Sequence, residues 1–166
     1  MNKPAAFLDR DGVINKEKEY LYKIDDFEWI YGAKESIKYL NDNGYYVFVV
    51  TNQSGISKGY YSEKDVIILH NYINHELKMV NAHIDEFFIS PYHPNNINEY
   101  LNLSHLRKPQ TGMLDLAANK WSIDKSKSFL IGDKKTDIEC AEKFSIRGHL
   151  FKTGNLLDFI KSSENI

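Results

Sequence analysis

Three short apolar runs in this 166-residue chain each stop abruptly at a cluster of polar side chains. Ala5-Ala6-Phe7-Leu8 stops at Asp9-Arg10-Asp11-Gly12, and Tyr45-Tyr46-Val47-Phe48-Val49-Val50 stops at Thr51-Asn52-Gln53-Ser54-Gly55. Ser128-Phe129-Leu130-Ile131-Gly132 stops at Asp133-Lys134-Lys135-Thr136-Asp137, and residues 84–89 read as a further strand. Runs this short and this continuously apolar suit strands covered on both faces, as in a parallel sheet.

The segments between them carry helical signals. Residues 33–43 place Ile37 and Leu40 on one face and end before Gly44, where a helix C′ residue belongs. Ser62-Glu63-Lys64-Asp65 is close to a capping box, with Asp in place of Glu or Gln, and opens a helix through Val66, Leu69, Ile73, Leu77 and Val80. A short helix is predicted over 112–121. Thr136 with Glu139 reads as a second capping box, for a helix through Ile138, Ala141 and Phe144. Residues 149–151 give a fifth strand and 155–161 a last helix. Strands alternating with helices imply an α/β fold, a Rossmann-like doubly wound and mainly parallel sheet, in one domain over residues 1–166. Ligands of such sheets bind at the carboxyl ends of the strands, where the polar clusters fall.

Composition narrows the function classes. Hydrophobic residues make up 42% and charged residues 27%, ordinary values for a soluble domain, and the net charge of −2 offers no basic surface for nucleic acid. Cys140 is the only cysteine, so no intrachain disulfide forms, which suits a reducing compartment. Charged Asp9 comes too early for a signal peptide, and no apolar run is long enough to span a bilayer. A cytoplasmic monomer without nucleic-acid or membrane partners is expected. The long connection 16–31 reads equally as the rim of a site or as a solvated excursion, and 90–110 is a second long connection rich in Asn, Pro and His. His70 and His75 read as packing or surface residues.

The clusters carry the chemistry. Asp9 and Asp11, at i and i+2, face one side of a strand end, and Gly12 permits a sharp turn there. Together with Asp133 they offer the oxygen ligands that magnesium takes. An aspartate also serves as a nucleophile, with its neighbour as acid and base. Thr51 and Asn52 offer donors to a phosphoryl oxygen, and Lys108 a positive charge where negative charge gathers. Asp137 reads either as a helix N-terminal charge or as part of the metal surroundings.

Asp9-Arg10-Asp11-Gly12, Thr51-Asn52-Gln53-Ser54-Gly55, Arg107-Lys108-Pro109 and Gly132-Asp133-Lys134 with Asp137 resemble the four motifs of the haloacid-dehalogenase superfamily. The resemblance runs from Phe7 to about Phe144 and is narrower still to its histidinol-phosphatase-like branch, which includes the D,D-heptose 1,7-bisphosphate phosphatases. It implies a capless phosphatase whose loops supply specificity. Asp9 would be the nucleophile and a magnesium ligand, and Asp11 the acid/base whose backbone carbonyl also meets the metal. Asp133 would be the other metal ligand. Thr51, Asn52, Gln53, Ser54 and Lys108 would hold the phosphoryl group, with Glu17, Tyr20, Arg107 and Lys134 near the rest of a phosphosugar. The implied substrate is a D-glycero-D-manno-heptose 1,7-bisphosphate cleaved at the 7-phosphate. Histidinol phosphate, another small phosphomonoester, or an inactive binding module on the same fold are the alternatives.

One stretch departs from the pattern. Where the branch commonly carries a four-ligand zinc site, this chain has Ser90, Tyr92, Ser104 and Leu106. Those side chains are not structural zinc ligands, so no structural zinc is expected. The loop should instead be ordered by Tyr92, Ile97, Tyr100, Leu101, Leu103 and Leu106.

Overall fold

The computed structural model describes residues 2–96 and 99–166. Five strands, β1 (Ala5–Leu8), β2 (Tyr46–Asn52), β3 (Glu86–Ser90), β4 (Phe129–Gly132) and β5 (Arg147–Leu150), form one sheet in the order β3-β2-β1-β4-β5. Every pairing is parallel, with Phe7 level with Phe48 and Leu130 on its two sides. Among the described residues five α-helices connect and cover them: α1 (Ala33–Asp42), α2 (Glu63–Lys78), α3 (Gly112–Lys120), α4 (Lys135–Phe144) and α5 (Leu156–Glu164).

Strand periodicity sorts the core into two layers. Ala6 and Leu8 of β1 point to one face, where Ile37 and Leu40 of α1, Leu69, Ile73 and Leu77 of α2, and Leu156 and Ile160 of α5 pack on them. Ala5 and Phe7 point to the other, against Met113, Leu114 and Ala117 of α3 and Cys140, Ala141 and Phe144 of α4. Both faces of the sheet are therefore dry, which is why the central strands read as unbroken apolar runs.

Local signals explain most boundaries. The Ser62 hydroxyl accepts from the Asp65 N–H at 3.2 Å, and the Asp65 carboxylate accepts from the Ser62 N–H at 2.8 Å, so the expected box starts α2. Gly44, with φ +78°, follows α1 at the left-handed position only glycine takes freely. The start of α4 differs from expectation. Lys135 is its first residue, so Asp137 rather than Glu139 holds the third helical position, and the Asp137 carboxylate accepts from the Lys134 N–H at 3.0 Å. Thr136 is inside the first turn, and Glu139 pairs with Lys135 instead. β3 begins at Glu86, not residue 84, because the Ile84 N–H and carbonyl are both taken by the Asn74 side chain of α2. α2 stops at Lys78, leaving Val80 40% exposed beyond it. β5 starts at Arg147, opposite Phe129, two residues ahead of the expected run. α5 extends to Glu164, with Asn155 as its N-cap rather than its first turn, accepting from the Leu157 N–H at 2.9 Å.

Both long connections carry only short 3-10 turns among the described residues, Ile24–Asp26 and Leu101–Leu106. The first folds back on itself through a Lys16 N–H to Glu28 carbonyl bond of 2.9 Å and buries Leu21. In the second, Leu106 is buried with Phe88 and Met113, Leu103 packs beside it, and Tyr100 packs near Ile56, Tyr61 and Val66. Tyr92 is partly buried, but Leu101 is 53% exposed and takes no part in that packing. Ile97 lies outside the described residues. No helix among them is long and apolar enough to cross a membrane.

Candidate active site

The strand order reverses beside β1, with β2 on one side of it and β4 on the other. That reversal opens a crevice at the strands' carboxyl ends. Asp9 follows β1 and Asp133 follows β4, so two parallel strands aim their first residues past the ladder at one point. Asp137 joins them from the first turn of α4. One oxygen from each of Asp9, Asp133 and Asp137 lies within 4.8 Å of the others.

Two glycines make the approach possible. A Cβ on Gly132 would sit 2.1 Å from the Asp137 Cβ, so any larger residue would push α4's first turn off the strand end. A Cβ on Gly12 would sit 2.4 Å from Asp133 Oδ2, and its φ of +87° is strained for other residues.

Lys108 neutralises the cluster from below. It is buried, and its Nζ stands 3.0 Å from Asp9 Oδ1, 2.7 Å from Asp137 Oδ1 and 2.7 Å from the Val50 carbonyl that accepts from it. Asn52 fixes its backbone, accepting from the Lys108 N–H at 3.0 Å and donating to its carbonyl at 3.2 Å. Burial alone would lower the Lys108 pKa, but the carboxylates of Asp9 and Asp137 outweigh it and raise it. The Asp9 pKa is pushed up to about 8: burial, aided by Asp137 and Asp11, wins over the pull of Lys108.

These carboxylates fit a hard divalent cation. Asp133 Oδ1 is buried and has no hydrogen-bond partner among the described residues, an uncommon and costly condition for a carboxylate oxygen. An all-oxygen donor set of this charge is what magnesium takes.

Asp11 is held differently. Its carboxylate accepts from Arg10 Nε at 3.3 Å and Nη2 at 3.1 Å, from Asn15 Nδ2 at 2.9 Å and from Gln53 Nε2 at 3.1 Å. It lines the cleft but stands apart from the three-carboxylate cluster. Gln53 also donates to Thr51 Oγ1 at 2.8 Å, so Thr51 is buried beneath the glutamine and does not itself line the cleft.

The cleft holds about 450 Å³. Asn52, Gln53, Ser54, Arg107, Lys108 and Lys134 line it, as do residues 17–21, the part of the first long connection that forms its rim. Lys134 Nζ approaches Glu17 to 3.7 Å across the mouth. Burial and the nearby Asp11 raise the Glu17 pKa. Arg107 is half-buried, its Nη1 donating to the Tyr92 carbonyl at 3.2 Å.

Sequence reasoning assigned nothing to Arg10 or to Tyr61, whose hydroxyl donates to Gln53 Oε1. The signal for Arg10 was available: a cation between two carboxylates, directly after a buried strand. It left Asp137 undecided, and the structure gives that residue two contacts at once, the Lys134 N–H and the Lys108 ammonium. Of the positions that would hold zinc in the branch, Ser90 and Leu106 are buried, Ser104 is exposed and Tyr92 partly so.

A family model described as polynucleotide kinase 3 phosphatase matches residues 5–161. A D-glycero-alpha-D-manno-heptose-1,7-bisphosphate 7-phosphatase of Photorhabdus laumondii is 44% identical over 91% of this chain and 84% of its own length. A D-glycero-beta-D-manno-heptose-1,7-bisphosphate 7-phosphatase of Rhodopseudomonas palustris is 40% identical over 96% of this chain and 89% of its own. A crystal structure of D,D-heptose 1,7-bisphosphate phosphatase from B. bronchiseptica, complexed with magnesium and phosphate, matches with a TM-score of 0.79. It is 25% identical and the match covers 96% of this chain and 86% of that one. The chain belongs to the polynucleotide kinase 3 phosphatase family and, with its heptose-bisphosphate-phosphatase relatives, to the phosphatases of the haloacid-dehalogenase superfamily.

Proposed function

We propose that this chain is a magnesium-dependent phosphatase that removes the 7-phosphate of D-glycero-D-manno-heptose 1,7-bisphosphate through an aspartyl-phosphate on Asp9. The observation that carries the chemistry is the meeting of three carboxylates over the buried Lys108 ammonium. The relatives' activities support the substrate.

Asp9 Oδ attacks phosphorus as the bond to the sugar oxygen breaks. Asp11, at the cleft wall, gives that oxygen its proton and then takes one from the water that hydrolyses the aspartyl-phosphate. Lys108 stays charged beside Asp9 and offsets the growing negative charge. Asp9, Asp133 and the Asp11 carbonyl would hold magnesium, with Asp137 beside them. When bound, magnesium supplies the positive charge that lets carboxylates and phosphate share one site.

Asn52 and Ser54 face the phosphoryl group, while Gln53 braces Asp11 and Thr51. Arg107 and Lys134 offer more positive charge than a single phosphate needs, and a guanidinium grips phosphate with a two-pronged geometry. Arg107 is therefore placed to hold the phosphate that is not cleaved. Glu17 and Glu19 on the same rim work against a polynucleotide backbone. Leu106 and Leu103 pack the end of the second long connection onto the core.

A phosphate-release panel tests the reading: heptose 1,7-bisphosphate, histidinol phosphate and a 3′-phosphorylated oligonucleotide, with magnesium or with a chelator. Magnesium-dependent release from the bisphosphate, above the others, is expected. Preference for either other substrate, or full activity in chelator, overturns it.

A further inference from the structure

Arg10 heads the fully buried side chains by size, yet nothing in the chemistry above uses it. A guanidinium held entirely out of water needs an acceptor for its donors. Arg10 finds them in three parts of the chain. Its Nε and Nη2 grip the Asp11 carboxylate, Nη2 reaching Oδ1 at 3.1 Å and Oδ2 at 3.2 Å. The same Nη2 donates to the Leu21 carbonyl at 2.7 Å, inside the 17–21 rim. Nη1 lies 3.3 Å from His70 Nε2 on α2. Burial and the Arg10 charge hold the His70 pKa well below its usual value, so the imidazole is neutral and Nε2 can accept. The His70 ring is itself fixed, stacked on Phe87 of β3 at 4.2 Å.

One nitrogen thus bridges the acid/base carboxylate and the backbone of the rim that the sugar must fill. Movement of Leu21 pulls on the group that orients Asp11. We propose that Arg10 is a positioning residue that ties the 17–21 rim to the Asp11 carboxylate, so that a substrate filling the rim aligns Asp11 with the ester it protonates. His70 is the backstop that keeps the guanidinium in register. The inference rests on the phosphatase reading of the site. A lysine in place of Arg10 keeps the charge but cannot span the carboxylate, the carbonyl and the imidazole together.

The test compares two substrates on wild type and Arg10→Lys. Heptose 1,7-bisphosphate fills the rim and leaves as a poor alkoxide. p-Nitrophenyl phosphate carries no sugar for the rim and leaves with little need of a proton. Wild-type turnover of the bisphosphate is measured first, and its absence counts against the proposed substrate rather than against the tie. With it present, Arg10→Lys should lower the single-turnover rate at which the bisphosphate releases its sugar monophosphate about 100-fold, the scale of a misplaced catalytic group. KM should rise with it, while single-turnover release of nitrophenolate, which precedes the step that needs Asp11 as a base, falls less than about 10-fold. Equal losses on both substrates would mean that Arg10 only holds the fold together, and would overturn the proposal. If Arg10→Lys does not fold, His70→Leu and His70→Gln decide. His70→Leu should show the same substrate-dependent loss on a smaller scale, and His70→Gln, which keeps an acceptor, should recover most of it. Equal effects of His70→Leu on both substrates again overturn the tie.

Discussion

A carboxylate whose pKa is pushed up to about 8 by burial is a poor nucleophile until something favours its charged form. For Asp9, Lys108 does part of this and a divalent cation would do the rest. The sign follows directly. Below pH 8 the metal-free site holds a proton that the bound cation must displace, so cation binding releases it. Magnesium affinity should therefore rise about tenfold per pH unit up to about pH 8 and then level off. Titration calorimetry in buffers of different ionisation enthalpy would count the proton, and a flat affinity between pH 6 and pH 8 would refute the assignment. Without metal, the protonated Asp9 contributes stability that is complete below the ordinary carboxylate range and fades as pH climbs toward 8. Substitution separates the two aspartates. Asp9→Asn should abolish turnover in a folded protein. Asp11→Asn should cost about 10²–10⁴ in kcat, the usual share of general acid–base catalysis. Wild-type-like rates in either would exclude the aspartyl-phosphate route.

The first turn of α4 shows how one element serves structure and chemistry together. Asp137 caps the helix with one oxygen and holds Lys108 with the other, and Gly132 leaves room for it to do both. Asp137→Asn keeps an acceptor for the Lys134 N–H but gives Lys108 one charge fewer. Thermal unfolding should shift little, since an N-terminal acceptor is worth about 0.5–2 kcal/mol and is retained. kcat should fall by at least about tenfold. Normal kcat in Asp137→Asn would show that the residue is only a cap. This double use is also what the sequence concealed. The strands were legible because both sheet faces are apolar, and Asp9, Asp133, Asn52 and Lys108 were legible because they sit where strands end or a motif closes. The start of α4 was not: Thr136 offers a better-looking cap, and only the packing of Asp137 over Gly132 decides against it. Thr51 was expected to meet the phosphoryl group, and its burial under Gln53 could not be read from the sequence, because a side chain's depth depends on its neighbours in space. Arg10 was hidden in the same way, since its partners Leu21 and His70 lie 11 and 60 residues away.

At the scale of the molecule, the Asp9 cluster gathers at the carboxyl ends of the strands, and a second group of charges lies toward the start of β5. Arg147 is the first residue of β5, and its Nη2 stands 2.6 Å from Glu164 Oε2 at the last turn of α5. His149 meets the other oxygen of the same carboxylate. Glu164 is buried, so the Arg147 guanidinium and the His149 ring on β5 pin α5 to the edge of the sheet, helped by Leu156 and Ile160 in the core. A buried carboxylate with a charged partner cannot be removed cheaply, because the guanidinium loses its counter-charge where water only partly replaces it. Arg147 is 49% exposed, which reduces the cost below that of a fully buried pair. Glu164→Ala should thus lower stability by about 1–3 kcal/mol in denaturant melts. Since Arg147 meets Glu164 at the start of β5, away from the Asp9 cluster, kcat at a temperature where both proteins are folded should stay within about twofold of wild type, as expected for sites with no shared partners. A kcat loss that matches or exceeds the stability loss would mean that the edge helix and the catalytic end are coupled through β4 and β5, and that the two ends of this sheet do not act independently.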